Sequence, residues 1–136
     1  MAIKKSVRLV DETMKLCYEL TKQGDTNWSG AINAMAQQYK LFVDECLPKL
    51  SNDEKAAFYC AYNGYMPHPE LDMEINQLHW NISEGCQYDE QIRDLLGTKE
   101  QAAEFIERIQ SWTKPEKLAV IYMARAYWRQ GQLAAE

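Results

Sequence analysis

The predicted fold depends on one short segment near the amino terminus, Ile3-Lys4-Lys5-Ser6-Val7-Arg8-Leu9. From Ser6 onward polar and apolar residues alternate, which predicts a β-strand with Val7 and Leu9 on one face. Ser6 and Arg8 lie on the other face, together with Lys4, whereas Lys5 breaks the alternation. The rest of the chain shows no convincing strand pattern. This strand therefore has no partner within its own chain.

Two amphipathic helices are predicted to follow, over residues 11–23 and from about residue 29 to residue 47. Gly24 is well placed to end the first helix, and Pro48 closes the second. The second helix has an apolar stripe that is wider and longer than a monomer formed by residues 1–47 can cover. This stripe consists of Ile32, Met35, Ala36, Tyr39, Phe42, Val43, Cys46 and Leu47.

An unpaired strand and an uncovered helix face both predict a dimer. A single strand cannot satisfy its own backbone N–H and C=O groups, but pairing with its copy in a second molecule would satisfy them. The product is a two-stranded antiparallel ribbon with twofold symmetry. Such a ribbon fits the major groove of double-stranded DNA.

The layout of residues 3–47 resembles that of the Arc/MetJ/CopG ribbon-helix-helix family. The resemblance rests on Val-Arg-Leu at 7–9, a helix of about a dozen residues, a glycine-containing turn, and Asn-Trp-Ser-x-x-Ile at 27–32 before a long amphipathic helix. It implies a DNA-binding homodimer whose strand side chains Lys4, Ser6 and Arg8 contact bases. Arginine can donate two hydrogen bonds to guanine, which suits Arg8 to this role.

The resemblance also implies a phosphate-binding site and a shared dimer core. Backbone N–H groups of Asn27, Trp28 and Ser29 would hold a phosphate at the start of the second helix. Trp28 departs from the family pattern, which usually has a small or charged residue there. The expected dimer core consists of Val7, Leu9, Ile32, Met35 and Tyr39.

Residues 48–136 are expected to form an all-α domain of about five helices. Ser51-x-x-Glu54, Thr98-x-x-Gln101 and Thr113-x-x-Glu116 are helix-start signals. Most aromatic residues of the domain, including Trp80, Trp112, Trp128, Tyr122 and Tyr127, are expected in its core. Arg125 and Arg129 lie one turn apart, so they can bind an anion or an acidic partner, or form ion pairs with nearby glutamates.

Charge is distributed unevenly along the chain. The net charge of −5 argues against a protein that coats nucleic acid non-specifically. Residues 1–10 contain three basic residues and no acidic one, and residues 1–47 are balanced. The net negative charge therefore lies in residues 48–136. This distribution favours a small basic contact surface near the amino terminus of an otherwise acidic protein.

No residue set predicts catalysis, a cofactor or a metal site. His68, His79 and Cys86 lack metal-ligand spacing, and no serine or cysteine has an evident histidine partner. The four cysteines are dispersed without a C-x-x-C pair, so we expect reduced thiols. The basic start lacks a following apolar segment, and no apolar run is long enough to cross a membrane. We therefore expect a cytoplasmic protein that does not contact membranes.

Two functional interpretations remain open. In the first, residues 1–47 form a ribbon-helix-helix module, residues 48–136 form an all-α domain, and the homodimer represses transcription, whether of its own gene or of others. Whether dimers pair into tetramers on DNA stays open. In the alternative, the chain is an antitoxin, a mobile-element accessory protein or an inhibitor. Its acidic helical domain then binds another protein.

Overall fold

The computed structural model describes residues 11–21, 28–62 and 70–135, and these residues form seven helices. The helices are α1 (Asp11–Thr21), α2 (Trp28–Cys46), α3 (Asn52–Ala61), α4 (Leu71–Tyr88), α5 (Glu90–Leu96), α6 (Lys99–Ser111) and α7 (Lys114–Ala135). None of them combines the length and the apolar character that a bilayer crossing requires.

The fold class expected from the sequence is corrected here. The described residues contain helices and no strand. The predicted fold class, mainly helical with an amino-terminal ribbon-helix-helix, is therefore wrong in its ribbon. The expected strand, residues 3–9, lies outside the described residues. The ribbon was predicted because that single strand would have to pair with its copy in a second molecule. The described fold is stabilised instead by packing between helices.

The chain divides into two compact units, Met1–Phe42 and Val43–Glu136. The described part of the first unit consists of α1 and the larger part of α2. Ile32 and Met35 of the predicted apolar stripe are half-buried there, whereas Tyr39 and Phe42 are exposed. The apolar stripe expected to form a dimer core is thus only partly covered within this unit.

Local capping explains where several helices begin. Ser51 Oγ accepts from the Glu54 N–H at 3.1 Å, and a Glu54 carboxylate oxygen accepts from the Ser51 N–H at 2.8 Å. Thr98 and Gln101 make the same reciprocal pair at the start of α6. These two boxes satisfy N–H groups that a helix start leaves without intrahelical partners, as predicted from the sequence.

A sharp junction separates α4 from α5. Asp89 accepts from the Gln91 N–H at 2.9 Å and so caps α5, which ends at Gly97 with φ of 84°. Gly85 lies within α4 at a point where a Cβ would come within 2.5 Å of Ile92 Cδ1 on α5. The missing side chain permits close packing of the two helices.

The core of the second unit lies between α3, α4, α5, α6 and α7. Phe58 and Phe105 meet edge to face, with ring centroids 5.7 Å apart, and Trp112 packs beside both. The other buried core residues are Ala57, Tyr62, Ile75, Leu78, Ile82, Ile92, Leu96, Ile109, Val120, Ile121 and Ala124. The first half of α7 is therefore central in this unit.

Candidate functional site

A buried ion pair joins α4 to α7. Glu74 is 1% exposed, and its Oε1 pairs with Arg125 Nη2. The sequence left open whether Arg125 binds an anion or a glutamate of its own chain, and the structure has the glutamate. A second polar contact also involves α4, since Asn81 donates to the Tyr62 hydroxyl at 3.0 Å. Both contacts are made within the second unit and join α4 to its neighbours.

The opposite face of α4 carries a row of exposed apolar residues. Met73, Trp80 and Tyr88 are 41%, 58% and 79% exposed. Their spacing of seven and eight residues places them on one helix face, over a length of about 22 Å. Ile75, Leu78 and Ile82 define the buried face. We call Met73, Trp80, Glu84 and Tyr88 the α4 face.

The charges of α4 are all negative. The helix contains Asp72, Glu74 and Glu84 and no lysine or arginine. Asp72 pairs with Lys114 at 3.5 Å and Glu74 pairs with Arg125. Among the residues that the structure describes, none forms an ion pair or hydrogen bond with Glu84. The α4 face therefore combines aromatic rings with an unneutralised carboxylate.

His79 lies at the edge of this face. Its ring contacts the Trp80 ring, with centroids 5.0 Å apart. Burial lowers the pKa of His79 below its ordinary value of 6.5, and the positive charge of Lys117 lowers it further. The imidazole is therefore neutral at pH 7, and it adds no positive charge beside Trp80.

An aromatic cleft of about 530 Å³ is a second candidate site. Tyr59 and Tyr127 stack in parallel on one side of it, with centroids 3.9 Å apart. Burial, and then the neighbouring Tyr127, raise the pKa of Tyr59. Its remaining lining residues are Ala56, Cys60, Gln91, Trp128 and Gly131. The two tyrosine rings of this cleft are stacked on each other.

A second cleft, of about 500 Å³, lies between α4, α5 and α6. Its lining includes Arg93, Lys99, Cys86, Ala102 and Ile106. Burial raises the pKa of the Cys86 thiol, although the nearby Arg93 opposes this effect. A raised pKa keeps the thiol protonated at neutral pH, which disfavours a role as a nucleophile.

No protein family model matches the chain, and neither a curated protein nor a solved structure matches it. The ribbon-helix-helix resemblance is therefore based on the sequence alone. The functional argument has to come from the described residues themselves.

Most residues predicted to contact DNA lie outside the described part of the chain. Lys4, Ser6, Arg8 and Asn27 belong to this group, as do the expected dimer-core residues Val7 and Leu9. Trp28 and Ser29 begin α2, and Ser29 is exposed. Ile32 and Met35 are half-buried, and Tyr39 is exposed. The DNA contacts and the dimer core remain predictions.

The described residues do not assemble a metal site or an evident catalytic pair. No group of three potential metal ligands occurs among them. His79 packs against Trp80, and in that same part of the chain it makes no hydrogen bond to a serine or cysteine. His68 lies outside the described residues. That the chain is no enzyme and needs no cofactor remains a prediction.

Sequence reasoning missed the α4 face because it assigned most aromatic residues to the core. Trp80 and Tyr127 are exposed, and Trp112, Trp128 and Tyr122 are half-buried. The signal was nevertheless present. Ile75, Leu78 and Ile82 set the phase of the buried stripe, and Trp80 lies out of that phase.

Proposed function

We propose that this chain is a protein-interaction factor, and that its second unit binds another protein through the α4 face. The observation that carries this proposal is the exposed Trp80, aligned with Met73 and Tyr88 on a helix without lysine or arginine. Single exposed apolar residues are common, but an aligned row that includes tryptophan is typical of interaction surfaces. Tryptophan and tyrosine often contribute most of the binding energy in such interfaces.

The net negative charge of residues 48–136 indicates which kind of partner surface they would bind. Residues 48–136 contain nine basic and fourteen acidic residues. A partner with a basic, partly apolar surface would associate faster with this negatively charged unit, since complementary charge raises the association rate. This matches the alternative that the sequence left open, in which an acidic helical domain binds another protein.

DNA recognition by an inserted ribbon is not part of this proposal. That mechanism required the ribbon-helix-helix fold, and the described residues are helical without a strand. Its base-contacting residues Lys4, Ser6 and Arg8 lie outside the described part of the chain. No observation on the described residues favours it over protein binding.

Affinity capture with a matched variant tests the proposal. The full chain and its Trp80→Ala and Leu41→Ala variants are used as baits in extracts of the source cells. Leu41 is the control because it is a 66% exposed apolar residue on α2, in the first unit. We expect one polypeptide to be retained by the wild type and by Leu41→Ala, and lost with Trp80→Ala.

Calorimetry on the purified polypeptide then measures the loss. Removal of a central tryptophan should raise the Kd by about thirtyfold, the equivalent of roughly 2 kcal/mol. Equal binding by all three chains would contradict the proposal. Recovery of the chain itself as the Trp80-dependent partner, with a dimer in sedimentation analysis, would also overturn it, because the occupant would be a second copy.

A further inference from the structure

The unpartnered carboxylate on the α4 face has two aromatic neighbours at helical spacing. Trp80, Glu84 and Tyr88 occupy positions i, i+4 and i+8 of α4. Side chains four residues apart on a helix are neighbours, with Cβ atoms about 5–6 Å apart. Glu84 is exposed between the two rings, which are themselves mostly exposed.

We infer that Trp80, Glu84 and Tyr88 form a binding site for an arginine side chain of the partner protein, an inference that rests on the proposed function. A guanidinium group can stack on an aromatic ring and at the same time donate two hydrogen bonds to a carboxylate. The three residues supply both kinds of contact on a single helix face. A lysine ammonium is a point charge that can use the carboxylate but lacks the planar stacking surface.

The balance of charges on α4 supports this assignment. Its other two carboxylates each have a cation from α7, Lys114 for Asp72 and Arg125 for Glu74. Glu84 has no such partner in the described part of the chain. A cation brought by the partner protein would complete the same pattern.

The chain contains an internal example of this recognition. The Arg108 guanidinium lies over the Phe105 ring, 5.0 Å from its centroid, and also pairs with Glu54 at 2.5 Å. One ring and one carboxylate thus hold an arginine between α3 and α6. The α4 face presents the same two chemical groups, with a second ring, to the surroundings.

Peptide binding tests the inference on the full chain. The probe is an amphipathic helical peptide with leucines on one face and one central arginine, and its two counterparts carry lysine or citrulline at that position. Citrulline keeps the planar shape without the charge. Calorimetry should give the lowest Kd for the arginine peptide. The Kd of the citrulline peptide should be about tenfold higher, the equivalent of about 1.4 kcal/mol.

Variants separate the arginine site from apolar attraction. Glu84→Gln keeps the shape of the side chain and removes its charge, so it should abolish the preference for arginine while the leucine contacts remain. Glu104→Gln, an exposed glutamate on α6, is the matched control and should keep the preference. Equal affinity for the three peptides, an unchanged preference in Glu84→Gln, or no binding of any peptide would overturn the inference. A captured protein that depends on Trp80 but not on Glu84 would overturn the arginine site and leave the proposed function intact.

Discussion

Arg125 of α7 pairs with Glu74 of α4, and the carboxylate of this pair is almost completely buried. The pair spans 51 positions of sequence and fixes how two long helices pack. A buried carboxylate without its cation is costly, because desolvation is then no longer offset. The stability of the second unit should therefore depend on Arg125.

Arg125→Ala should lower the free energy of unfolding by about 3 kcal/mol, the low end of the range for a broken buried pair. The low end applies because Arg125 is itself 38% exposed and partly solvated. Urea denaturation followed by circular dichroism measures the change. Arg129→Ala, one turn along α7 and exposed, is the control and should change stability by less than about 0.5 kcal/mol. Equal stability of the two variants would show that Glu74 does not need the cation.

Stability should depend on pH through His79. Its folded-state pKa is lowered by burial and then by Lys117, whereas the unfolded value is about 6.5. The unfolded chain therefore binds more protons in this range, so the contribution is present above pH 6.5 and is lost as the pH falls below it. Urea titrations between pH 5 and pH 7.5 should show a shallower dependence on pH for His79→Gln than for the wild type. The same slope in both proteins would contradict the lowered pKa.

The thiols of Cys60 and Cys86 should react slowly. Burial raises the pKa of both; Asp89 raises that of Cys60 further, whereas Arg93 partly opposes the rise at Cys86. Because the thiolate is the reactive form, alkylation by iodoacetamide at pH 8 should be slower at these positions than for a free cysteine peptide. Peptide mapping by mass spectrometry measures each rate, with the urea-unfolded chain as the control. Rates that match those of the unfolded chain would exclude protection by the fold.

Local signals predicted much of the helical structure. Ser51 with Glu54, and Thr98 with Gln101, mark helix starts because each capping box is formed by residues three positions apart. The end of α7 was less predictable. The helix continues past Gly131, where an added Cβ would meet nothing, because one exposed glycine costs a helix only about 1 kcal/mol.

The candidate site was less predictable because it depends on which surface stays uncovered. The sequence shows that Trp80 is out of phase with Ile75 and Leu78, but not whether another helix covers it. The pairing of Glu74 with Arg125 depends equally on distant packing. Only the structure shows that Glu84 is the carboxylate of α4 without a cation in the described residues.

Site-specific photo-crosslinking tests the central claim, that the α4 face binds another protein. A photoreactive phenylalanine derivative replaces Trp80 or Tyr88 in one set of chains, and the exposed α6 residue Gln110 in another. In the source cells, positions 80 and 88 should crosslink to the same polypeptide, and position 110 should not. Crosslinks to that polypeptide from position 110 with none from positions 80 and 88 would contradict the claim.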